Sequence, residues 1–135
     1  MINCKLLQNI TEFRLVNEDG DDAGPRTVGL LLSNGGTVCD DHFNDASAEA
    51  ICHKMGYHGQ LSWEGGAKWD MQSNYEISLD DVICGTNEWS SCKFTFTSDC
   101  SHSEDVFLQC DGVGKFEAKI LILGFCGFSH RYFFL

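Results

Sequence analysis

Eight cysteines stand in a chain of 135 residues, and that density constrains the fold more than any other feature. A chain of this length buries a limited core, and small domains restrict their unfolded ensemble with disulfides. Such bridges form in oxidising compartments, so the cysteines point to a secreted protein or a cell-surface ectodomain. A reduced zinc domain would show C-x2-C or H-x3-H ligand pairs, and neither occurs. Two cysteine motifs couple sulfur to acid: GTVCDD at 36–41 and CSHSEDVFLQC at 100–110. A disulfide joining these stretches would gather Asp40, Asp41 and Glu104 on one small patch. Three carboxylates so placed repel unless they are solvated or share a cation.

The rest of the composition narrows the class. Hydrophobic residues at 43% and charged residues at 21% suit a globular chain and argue against disorder. The length fits one domain with short ends. Nine basic against 20 acidic residues give a formal charge of -11, a field that repels nucleic acid and anionic membrane surfaces. Neither is an expected partner. The apolar stretches of residues 1–10 are broken by Asn3, Lys5, Gln8 and Asn9, so no secretory signal is read there; a piece of a longer chain would look this way. Asn9 opens an Asn-Ile-Thr glycosylation triplet. The run ILILGFCGF at 120–128 is far shorter than the roughly 20 residues that span a bilayer. It reads as an added strand or apolar tail.

Along the chain, residues 13–16 read as a short strand and 17–25 as an acidic loop. The apolar run 27–32, the turn Asn34-Gly35-Gly36 and the strand that resumes at 37–39 read as a hairpin. Residues 45–55 are the best helix, with Ala46, Ala50, Ile51 and Met55 at helical spacing, Asn44 or Asp45 to cap it and Gly56 to end it. Residues 59–75 show little periodicity and read as a long surface loop carrying Trp63 and Trp69. Both are candidate ligand contacts, although loop aromatics more often cover a small core. Residues 76–84 alternate as a strand with a bend, 84–92 form a loop around Trp89, and 106–108 supply a last buried strand.

The ordered motifs RLV (14–16), GTVCDD (36–41), ICHKMGY (51–57), LDDVIC (79–84), SSC (90–92) and CSHSEDVFLQC (100–110) resemble a scavenger receptor cysteine-rich domain. Cysteine placement resembles its six-cysteine group A. The resemblance implies an α+β fold, a small disulfide-bonded domain in which a curved antiparallel sheet cradles one helix, over residues 13–110. Residues 1–12 become an N-terminal extension and 111–135 an apolar C-terminal tail of unassigned role. It also implies the bridges Cys39–Cys100, Cys52–Cys110 and Cys84–Cys92; the spacing alone leaves every pairing of the six open. Cys4 and Cys126 fall outside the pattern. They are left to pair with each other, to stay free or to bridge another chain. The chain departs from the family pattern at Phe43, where tryptophan is usual, and at Asn44 and Ser47, where a second acid pair is common. A second cation site is therefore not expected.

Several family members bind calcium through an acidic cluster whose matching positions are Asp40, Asp41 and Glu104. The chemistry agrees, since Ca2+ takes about six to eight oxygen ligands. Three carboxylates fill part of that shell and leave the remainder to water, backbone oxygen or an anionic ligand. Affinity on the order of 10⁻⁴ to 10⁻³ M is expected for such an extracellular site. Asp80 and Asp81 read instead as a turn, and His102 as a structural hydrogen-bonding residue. Catalysis fits poorly: six of the cysteines are assigned to bridges, and there is no G-x-S-x-G nucleophile motif. The expected function is non-catalytic extracellular recognition of a protein or an anionic, microbial ligand, of the scavenger or pattern-recognition type used in innate immunity, through a calcium-bridged acidic patch. The alternatives are an interaction or adhesion module of a larger receptor, centred on Trp63, Trp69 and Trp89, and an accessory domain of a secreted enzyme.

Overall fold

The computed structural model of the chain describes residues 12–96 and 99–112. Asn9, Cys4, Cys126 and the apolar run at 120–128 lie outside the described residues. Among the described residues, the strands are β1 (Phe13–Val16), β2 (Gly29–Ser33), β3 (Gly36–Val38), β4 (Gly59–Gly65), β5 (Ile77–Cys84), β6 (Cys92–Thr95) and β7 (Val106–Asp111), and the helix α1 spans Asp45–Lys54. They form an open, curved seven-stranded sheet in the order β4-β7-β2-β3-β5-β6, with β1 also paired to β2. The pairings are antiparallel except β3 with β5, which run parallel.

The β2–β3 hairpin follows from its turn. Asn34 and Gly35 both take positive φ, 51° and 87°, the combination that matches the twist of the flanking strands. The continuous leucine run in β2 is explained by burial on both faces. Leu31 joins the larger core with Phe13, Leu15, Val38, Ile51, Leu79, Val82, Val106 and Leu108. Leu30 and Leu32 point the other way, into a smaller cluster with Val16 and Phe107, covered by Trp69, Met71 and Tyr75.

Helix α1 closes the larger core against β4, β5 and β7. Its start is a reciprocal cap: Asn44 Oδ1 accepts from Ser47 N at 2.7 Å, and Ser47 Oγ accepts from Asn44 N at 3.2 Å. Asp45 in the first turn and His53 and Lys54 in the last suit the helix dipole. Gly56, at φ 93°, follows the C-cap as the helix reverses. Ala48, Ala50, Ile51 and Cys52 face the core, with Ala46 and Met55 at its margin.

Residues 59–75 correct the sequence reading. Instead of a long surface loop, the chain forms β4, paired along β7, and then a 3-10 turn at Asp70–Asn74. Among the described residues, three disulfides, Cys39–Cys100, Cys52–Cys110 and Cys84–Cys92, bridge sequence separations of 61, 58 and 8 residues. Cys52–Cys110 fastens the helix to β7.

Candidate cation site

Asp40 and Asp41 leave β3 on a backbone held from two directions. Cys39 N donates to Leu79 O at 2.9 Å and Asp40 N donates to Glu104 O at 2.8 Å. An isolated bridge pairs Cys39 with Asp105, and the disulfide to Cys100 has its Cα atoms 6.6 Å apart. Glu104 ends a 3-10 turn, His102–Glu104, whose first turn is capped reciprocally. Ser101 N donates to Glu104 Oε2 at 3.1 Å. The turn therefore orients the carboxylate that it carries.

One oxygen from each of Asp40, Asp41 and Glu104 lies within 4.8 Å of the others, and all three residues are half-buried. Burial, and then Glu104, raises the Asp40 carboxyl above its ordinary value. Asp41 is raised by burial and by Asp80, Glu104 and Asp40. The donors are hard oxygens only, on a patch open to solvent, and the ionised cluster is held at a cost. That set could hold a hard divalent cation, with an incomplete protein shell.

Asp40 reaches this position because Gly65, at the end of β4, has no side chain. A Cβ there would overlap the Asp40 carboxylate. The sequence reading places Gly65 in a surface loop, with no link to Asp40.

Asp41 also meets Asp80 and Asp81 in a second group of the same dimension. There Asp80, only 2% exposed, accepts from Asp81 N through Oδ1 at 2.7 Å. Asp81, at φ 56°, holds His42 Nδ1 at 2.8 Å and Thr95 Oγ1 at 3.4 Å. These two acids stand inside β5, at the register shift between Asp80 and Ile83, and not in the turn expected from the sequence; their carboxylates already hold local hydrogen bonds. Burial raises Asp80, and the Asp81 hydrogen bond raises His42. Asp80 also groups with Cys39 and Cys100, but those sulfurs are joined to each other and are not thiolate ligands. His102 Nδ1 pairs with Asp105 Oδ2 at 2.8 Å.

The tryptophans are engaged within the fold. Trp63 stands on β4, its ring edge-on to Phe43 at 4.8 Å and its Nε1 donating to Asp45 Oδ1 at 2.8 Å. Trp69 meets Phe107 edge-on at 4.9 Å. Trp89 lies between Phe13 and Phe94 at 5.0 and 5.5 Å. All three are half-buried.

The model of the scavenger receptor cysteine-rich domain matches residues 19–111. Human (Homo sapiens) lysyl oxidase homolog 4 is 36% identical over 110 residues, 74% of this chain and 14% of that protein. Lysyl oxidase homolog 3A of Danio rerio is 42% identical over 79 residues, 56% of this chain and 11% of that protein. The chain thus spans a small part of the relatives that it matches. Among solved structures, the third such domain of murine neurotrypsin superposes with a TM-score of 0.51 at 28% identity, covering 77% of this chain and 99% of that one. The family model reaches from the loop after β1 to the end of β7 and takes in all six bridged cysteines, and on that extent the chain belongs to the scavenger receptor cysteine-rich domain family.

Proposed function

We propose that the chain is a non-catalytic, extracellular recognition module of a larger protein, and that it engages its partner through Ca2+ held by Asp40, Asp41 and Glu104. The observation that carries this reading is the convergence of three half-buried carboxylates. Asp40 and Asp41 would each donate from the turn after β3, and Glu104 from the turn before β7. The open part of the shell would take an anionic group of the partner. An extracellular setting is supported by the three disulfides. Among the described residues, no helix is long and apolar enough to cross a membrane. The accessory role is supported by the 14% share that the chain spans in human lysyl oxidase homolog 4.

Thermal melts with millimolar calcium against chelator test the site. Binding stabilises by about 1.4 kcal/mol at ten times the dissociation constant. Asp41→Asn and Glu104→Gln should abolish the upward shift. Asp81→Asn should keep it, which separates this trio from the neighbouring one. An unchanged melt at about 10 mM calcium, above the range of such modules, overturns the reading. The second reading, partner binding through aromatic surface, is favoured by one observation: Phe96, next to β6, is 70% exposed. Phe96→Ser would then weaken partner capture whether or not calcium is present.

A further inference from the structure

Gln72 is 2% exposed, and its side-chain amide uses both ends. Oε1 accepts from the backbone N–H groups of Lys68 and Trp69, each at 2.7 Å. Nε2 shares its two hydrogens among Gly66 O at 3.1 Å, His102 O at 3.0 Å and Asp105 Oδ2 at 2.9 Å. A buried amide with this many partners is costly to leave unsatisfied, so the segments it touches are ordered together. One is the connection at 66–71 that carries Trp69. The other is the 102–105 turn that presents Glu104.

A second tie runs alongside, since Gly66 N donates to Asp105 O at 2.9 Å. Asp105 is fully buried, and its Oδ2 also receives His102 Nδ1 at 2.8 Å. Gln72 itself lies outside the acidic trio. Its influence on that trio runs through the backbone that aims Glu104.

We propose that Gln72 is a positioning residue that couples the 66–71 connection to the acidic cation site, so that calcium binding and order around Trp69 reinforce each other. The inference rests on the calcium reading above. A cation that fixes Glu104 fixes the turn from His102 to Asp105, and through Gln72 the amides of Lys68 and Trp69. The effect is reciprocal by thermodynamic linkage. A partner that contacts the Trp69 connection would therefore tighten calcium, and the two surfaces would act as one binding face.

The test is residue-resolved amide hydrogen exchange on the whole chain, with calcium chloride against chelator. In the wild type, calcium should slow exchange at Lys68 and Trp69 as well as at Ser101, whose amide reports Glu104 directly. Gln72→Met keeps length and loses the hydrogen bonds. It should lose the calcium effect at 68 and 69 and weaken calcium at least about fivefold, the low end of ordinary coupling, with the Ser101 response retained at saturation. A wild type silent to calcium overturns the cation site, and this inference with it. A wild type whose Ser101 amide responds while 68 and 69 do not overturns the coupling alone, and it does so without any variant. A folded Gln72→Met protein with wild-type calcium affinity does the same.

Discussion

Gly65→Ala is the sharpest probe of how the acidic site is built. Gly65 pairs with Val106 at the end of β4, and a Cβ added there would stand 2.7 Å from Asp40 Cγ and 2.8 Å from Asp40 Cβ. Ordinary contact begins at 3.4 Å, so roughly half an ångström must be found. The carboxylate can rotate away, but the Asp40 Cβ cannot. It is fixed to a backbone whose N–H donates to Glu104 O at 2.8 Å. Overpacking of this kind costs about 1–3 kcal/mol. In a domain of about a hundred residues, each kcal/mol lowers Tm by about 4–8 °C. Displacing Asp40 also removes one carboxylate from the trio, so the calcium shift should vanish together with the stability. The neighbouring residue is a matched control: a Cβ on Gly66 meets nothing within 4 Å. Gly66→Ala should stay within about 0.5 kcal/mol of the wild type. Thermal melts of the three proteins, each with calcium and with chelator, decide the matter. A Gly65→Ala protein that melts like Gly66→Ala and keeps the full calcium shift would refute the close approach of Asp40 to β4.

Three further outcomes follow from the same structure. The Asp40 and Asp41 carboxyls are raised above 3.8, so their contribution to stability is fully present below that value and lost as pH rises through the folded pKa. In chelator, Tm should therefore climb as pH falls towards the ordinary carboxylate value, with raised Asp80 and His42 acting in the same direction, while the calcium increment shrinks because protons compete for the same oxygens; an increment independent of pH counts against the site. Ser47 is buried, and its Oγ donates to Val82 O at 3.1 Å while closing the helix cap; Ser47→Ala should cost about 1–3 kcal/mol in urea unfolding. Replacing Cys52 and Cys110 by alanine opens a 58-residue separation against 8 for Cys84 and Cys92. Chain entropy gives roughly 4 against roughly 2.5 kcal/mol, so the first pair should lower the unfolding midpoint further.

What the sequence made legible had local causes. The β2–β3 hairpin is written in Asn34 and Gly35, which take the positive φ that the turn requires, and α1 in Asn44 and Gly56. Strand β4 was hidden because it is an edge strand with most of its side chains turned to solvent, Leu61 at 49% exposure among them. Its strand character comes from pairing with β7, a partner more than forty residues away. Asp40, Asp41 and Glu104 could be grouped only through ordered motifs, since the fold closes 61 residues to bring Cys39 to Cys100. Gln72 gave no signal at all: a buried amide inside a polar stretch looks like any surface glutamine until its partners are placed. The proximity of Asp41 to Asp80 and Asp81 was likewise invisible, because the parallel pairing of β3 with β5 brings together strands separated by α1 and β4.

Strands β1 and β7 both run antiparallel to β2, and both meet it at Leu30, through Val16 on one side and Phe107 on the other. They therefore point in the same direction, with the chain entering β1 opposite Ser33 and leaving β7 beyond Gly29. Within a longer polypeptide under tension, the two ends would be pulled apart along the strand axis. The ladder bonds on either side of β2 would be strained together, in shear, instead of unzipping one at a time. Cys110 stands one residue before the end of β7 and is bonded to Cys52, so traction arriving from that side meets the pairing of Asp111 with Gly59 before it passes covalently into α1. In single-molecule pulling, which reads the unfolding rate, an oxidised domain should behave as a stiff mechanical unit, and reduction should weaken it from the β7 end first.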